Sequence, residues 1–136
     1  MGSILLVEAD AASGDRWAAA MGASQHAVLR SATTRQALEV IREGGIDVVV
    51  VSAGDPPVGV LDLWRGMEAL PDAPPLVLVS SSPDAPDLSV RIGAAAFLAQ
   101  PVDPAEVAAA VDRLLDRLRP VRAVEDEPTG PNRQYG

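Results

Sequence analysis

The chain is 136 residues long, the size of one domain with a core that needs no covalent staples. Its net charge is −8, from 19 acidic residues against 11 basic ones, all of them arginine, and its only aromatic residues are Trp17, Trp64, Phe97 and Tyr135; that balance repels a phosphate backbone, offers no base-stacking platform and excludes direct nucleic-acid binding. Lack of cysteine excludes disulfides, thiolate metal sites and a Cys nucleophile, no apolar run approaches the ~18–20 residues of a membrane span, and "MGSILLVEAD" has no basic n-region of a signal peptide, so the expected location is the cytoplasm.

Five short apolar runs alternate with helix-like segments. The first, Ile4–Val7, ends at Glu8; a helix follows, with Asp10 as its N-cap and Trp17 and Met21 four apart on one face. A weak strand near Ala27–Arg30 leads to "TTRQALEVIREGG", which has a Thr33-x-x-Gln36 capping pattern, an apolar face of Ala37, Leu38 and Ile41, and a stop at Gly44. The valines 48–51 form the third strand, closed by Ser52 and the loop "AGDPP". Val60, Leu63, Trp64, Met67 and Leu70 then recur at helical spacing, and Leu76–Val79 is the fourth strand.

Pro83 and Pro86 leave room for only a short fourth helix. "AAAFLAQP" is the fifth strand. The last helix opens with Asp103 as cap, Pro104 at its first position and Glu106 closing a capping box, turns Val107, Val111, Leu114, Leu115 and Leu118 inward, and is expected to stop before Pro120. Residues 120–136 have little to bury and are expected to form a tail or linker after a domain spanning 1–119.

This alternation implies βαβ units and a parallel sheet covered on both faces. Ligands of such sheets bind beyond the carboxyl ends of the strands, here at Glu8, Ser52, Ser80 and Gln100. Other motifs are weak. His26, the only histidine, lacks partners for a metal site and is expected in a turn. No G-x-S-x-G elbow exists, Gly44-Gly45 lacks the lysine of a phosphate loop, and Ser80–Ser82 suits a helix cap before Pro83.

Several stretches together resemble the CheY-like receiver domain of two-component response regulators: "ILLVEAD", "TTRQALEVIREGGIDVVVVS" with Asp47 before the valines, Pro56 four residues after Ser52, "SSS" after the fourth strand, and "GAAAFLAQPVDPAEV". The resemblance implies a flavodoxin-like three-layer α/β/α sandwich, with a five-stranded parallel sheet in order 2-1-3-4-5 and five helices. It also implies a chemistry in which an aspartate takes a phosphoryl group, an acidic pair holds magnesium, and a lysine pairs with the phosphate.

Carried over residue by residue, most of that set is missing. Ser52 stands at the phosphoacceptor position, Ala9 beside Glu8 where the second acid belongs, and Gln100 at the lysine position; Ser80 matches the hydroxyl position and Phe97 the aromatic switch position. A neutral hydroxyl without a base does not replace a carboxylate nucleophile. The expectation is a degenerate receiver: not an enzyme, without cofactor or metal, acting as a phosphorylation-independent interaction module. Gln100 is expected to hydrogen-bond Ser52 or Glu8. Leu88, Arg91, Arg113 and Arg117 mark a candidate partner face on the fourth helix, fifth strand and last helix, for a signalling protein or a second copy of the chain. The alternatives are a sensor binding a small molecule in the vacated pocket and an unorthodox phospho-receiver using Asp55 or Ser52.

Overall fold

A computed structural model describes residues 2–126, with side chains through Arg117. The elements in order are β1 (Ser3–Val7), α1 (Ala11–Ala23), β2 (Ala27–Ser31), α2 (Thr34–Glu43), β3 (Val48–Ala53), α3 (Val60–Glu68), β4 (Leu76–Ser80), α4 (Ala85–Arg91), β5 (Ala96–Ala99) and α5 (Pro104–Asp126). The five strands are parallel, in order β2-β1-β3-β4-β5.

Period-2 alternation divides the core into two layers. Leu5, Val7, Val49, Val51, Leu76 and Leu78 face one side of the sheet, where Ala37 and Ile41 of α2, Val60, Leu63 and Met67 of α3 and Ala85 of α4 cover them. Ile4, Leu6, Val48, Val50, Val77 and Val79 face the other side, under Trp17 and Met21 of α1 and Val107, Val111, Leu114 and Leu115 of α5. Successive valines of β3 therefore serve opposite layers, which is why the run is continuous rather than alternating with polar residues. Each fully buried valine or leucine contributes about 1.5–3 kcal/mol.

Helix ends follow local chemistry. Thr33 Oγ1 accepts from the N–H of Gln36 at 3.1 Å, and Gln36 Oε1 reaches back to the N–H of Ala32 at 3.2 Å. The capping box therefore closes one residue earlier than on Thr33 itself. Gly44, at φ 88°, ends α2 with its N–H on the Ile41 carbonyl. α5 starts on the backbone of Asp103, whose carbonyl accepts from Glu106 and Val107.

Three expectations are corrected. β3 extends through Ala53, because Ser52 pairs with Val79 and Ala53 with Ser80; Ser52 is thus a residue of the strand, not its terminator. α5 runs on to Asp126, past Pro120: Pro120 loses its N–H and crowds the carbonyl of Asp116, and the helix formers Arg119, Arg122, Ala123 and Glu125 around it offset part of that cost. Residues 127–136 of the expected tail, and the Leu118 side chain, lie outside the described residues. Lastly, His26 does more than turn the chain. Its Nδ1 accepts from the Gly2 N–H at 3.0 Å, so the proton sits on Nε2, 2.5 Å from Asp112 Oδ1. This 95 % buried side chain ties the N-terminus and the start of β2 to α5.

Candidate functional site

The carboxyl ends of β1, β3, β4 and β5 meet at one end of the sheet, so the topology brings Glu8, Ala9, Ser52, Ser80 and Gln100 to a common surface. Glu8 is half-buried, and its Oε2 accepts from the Asp10 N–H at 3.1 Å. Ala9 is exposed and brings no ligand atom. Asp10, the next acid along, turns back onto α1 as its N-cap, with Oδ2 on the Ser13 N–H at 2.9 Å. Bonding from the Ser13 side chain, then from its backbone, holds the Asp10 carboxyl below its ordinary value, and Arg16 adds a smaller pull.

Ser52 is half-buried, and its hydroxyl makes no hydrogen bond among the described residues. The expected bond from Gln100 is absent. Gln100 is anchored by its backbone N–H to the Ser80 carbonyl at 3.1 Å, at the end of β5. That strand lies two places from β3 and three from β1, about 10 and 14 Å across the sheet, and a glutamine side chain is one atom shorter than the lysine it replaces.

Ser80 and Ser82 make the most buried polar connection at this end. Ser80, 1 % exposed, donates from Oγ to the Gly54 carbonyl at 3.2 Å and accepts from the Ser82 N–H at 3.1 Å. Ser82, 3 % exposed, donates to Asp55 Oδ1 at 3.0 Å and accepts from the Asp84 N–H at 3.1 Å. The serine run does not cap α4, whose N-cap is Asp84 without a side-chain cap bond; Ser82 instead holds the Asp84 N–H just ahead of the helix. It also clasps the β4–α4 loop to the β3–α3 loop, a role for Ser82 and Asp55 that the sequence reading missed. Asp55 is committed to this clasp.

Phe97 is half-buried on the face shared with Ser80, packed with Leu88 against the α2–α3–α4 layer. Of the candidate partner-face residues, Arg91, Arg113 and Arg117 are exposed. Leu88 instead packs inward, and its neighbour Val90 is the apolar residue of α4 that faces solvent, 81 % exposed.

A cavity of about 300 Å³ opens where the acidic pocket of a receiver would be, but it extends toward α2 rather than toward Gln100. Ala9 and Ser52 line it together with Thr34, Gly54, Val58 and Gly59. Gly59 adopts φ +86°, and a Cβ there would lie 2.7 Å from Thr34 Oγ1, so only glycine lets the β3–α3 loop close this wall.

No family model and no curated protein matches the sequence. Solved structures do. The receiver domain of a signal transduction histidine kinase from Syntrophus aciditrophicus superposes with a TM-score of 0.76 at 22 % identity, over 88 % of this chain and 93 % of that one. A CheY-like receiver protein from Methanospirillum hungatei gives 0.74 at 20 %, over 86 % and 95 %, and the receiver domain of a LuxO repressor protein from Vibrio parahaemolyticus gives 0.78 at 17 %, over 93 % and 98 %. The fold is that of a CheY-like receiver domain.

On the receiver fold, the residues present do not fit the magnesium ion that such domains use. The ion demands near-octahedral oxygen ligation with at least one or two carboxylates. Here Glu8 stands beside an alanine, Ser52 offers a neutral hydroxyl, and no three His, Cys, Asp or Glu side chains among the described residues come close enough to hold a metal.

Proposed function

We propose that this chain is a phosphorylation-independent signalling module: a pseudo-receiver that binds a protein partner in the cytoplasm and catalyses no phosphoryl transfer. The observation that carries this reading is the joint replacement of nucleophile, second acid and cation by Ser52, Ala9 and Gln100 at the end of a receiver sheet. Phosphoryl transfer is almost entirely positioning and charge neutralisation, so a site without a carboxylate nucleophile, a second metal acid or an ammonium lacks most of the required parts.

The clasp supports the same reading. In a switching receiver the hydroxyl of the fourth strand must be free to move toward a phosphoryl group. Here Ser80 is already spent on Gly54 and Ser82, and the α4 entrance is fixed with it. A partner docking on α4, β5 and α5 therefore meets one surface, with Val90 and Arg91 exposed on α4.

The test is a two-dimensional amide NMR titration with magnesium and beryllofluoride, a phosphoryl mimic. The spectrum is expected to stay unchanged. Saturable shifts clustered on Ser52, Ser80 and Gln100 would overturn the proposal.

A further inference from the structure

We infer that the cavity beside Ser52 is a binding site for an uncharged small molecule with a flat apolar body and an amide-like polar group. The inference rests on the reading that neither magnesium nor a phosphoryl group occupies this end of the sheet.

Four observations carry it. First, there is space: a half-open cleft of about 300 Å³, at the lower edge of the range for small-ligand pockets, walled by the loops after β1, β2 and β3. Second, every lining residue is uncharged. An anion entering would find no counter-charge, since the chain has no lysine and Gln100 lies two strands away. A cation would find no carboxylate in the lining: Glu8, Asp10 and Asp55 lie outside it and are held by hydrogen bonds from Asp10, Ser13 and Ser82. Burying an unpaired charge there is costly.

Third, the hydroxyls of Ser52 and Thr34 line the cavity without a hydrogen-bond partner among the described residues, whereas that of Thr33 is used by the α2 cap. A hydroxyl both donates and accepts, which an amide satisfies in both directions. Fourth, Val58 stands at the mouth 78 % exposed, an apolar side chain with nothing over it. Val7, Ala9 and Pro56 extend that apolar lining.

The probe series is benzamide, benzoate and benzylamine, one ring with a neutral, an anionic and a cationic head, titrated into the full isotope-labelled chain. Benzamide is expected to give saturable amide shifts at Thr34, Ser52, Gly54, Val58 and Gly59, with a dissociation constant on the order of 1–10 mM for so small a ligand. Benzoate and benzylamine should bind at least about tenfold more weakly, for want of a counter-charge. Ala9→Leu, in an exposed loop, fills the cavity and should abolish the shifts; Ser52→Ala should weaken them. No saturable shift at these residues, equal binding of a charged analogue, or undiminished binding by Ala9→Leu would each overturn the inference. Mass spectrometry after acetyl phosphate and magnesium separates the two readings: added mass defeats the proposed function, whereas an unlabelled chain that ignores benzamide defeats the ligand site alone.

Discussion

Ser82 shows how one side chain sets the state of a loop. Its hydroxyl holds Asp55 on one side and the Asp84 N–H on the other, and its own N–H rests on Ser80. Ser82→Ala removes two hydrogen bonds and leaves the Asp84 N–H without its acceptor, at a cost of about 1–2 kcal/mol. The expected signature is a lower urea midpoint, together with faster amide exchange confined to the loops after β3 and β4. A uniform change across the sheet would show that the clasp does not act locally. The sequence suggested a helix cap for the serine run, whereas α4 is entered at Asp84 and Ser82 bridges two loops. Asp55 and Ser82 are 27 residues apart, and only the parallel pairing of β3 with β4 makes them neighbours. His26 and Asp112, 86 residues apart, were hidden for the same reason: a lone histidine in a sequence carries no sign of its partner.

Elements with local signals were legible. The four valines 48–51 declared β3, Thr33 and Gln36 declared the start of α2, and Gly44 its end. What failed were the places where pairing or helix continuity overrides a local cue: Ser52 is drawn into β3 by Val79, and Pro120 does not stop α5. The α2 start also matters to the site, because Thr33 and Thr34 form one wall of the cavity. Thr33→Ala removes the oxygen that accepts from Gln36 and should destabilise the chain by about 1 kcal/mol. In the amide spectrum the change should concentrate on the first turn of α2 and on the Gly59 loop packed against Thr34. Retention of wild-type stability would mean that Gln36, through Ala32, holds this helix end alone.

At the scale of the whole molecule, the sheet order and helix layers are those of the receiver fold, while Ser52, Ala9 and Gln100 stand where the resemblance implies an aspartate, a second acid and a lysine. Whether those groups are all that is missing can be tested by restoring them. Ser52→Asp alone supplies a nucleophile but neither the second metal acid nor the cation, so it should take no label from acetyl phosphate. Adding Ala9→Asp and Gln100→Lys completes the set on an unchanged backbone. The new carboxylates would crowd Glu8, and like charges at one site disfavour joint ionisation. The triple variant is therefore expected to be about 1–3 kcal/mol less stable than the wild type at neutral pH without a divalent ion. Magnesium should then return stability, by about 2.7 kcal/mol at a hundredfold excess over its dissociation constant, with no such effect on the wild type. Labelling is expected only in the triple variant with magnesium present. If the triple variant binds magnesium but stays unlabelled, the cause lies in the clasp, because Ser80 remains tied to Gly54. Robust labelling of Ser52→Asp alone would instead show that Glu8 and a neighbouring carboxylate already hold the ion, and the end of the sheet would have to be counted as a working phosphorylation site.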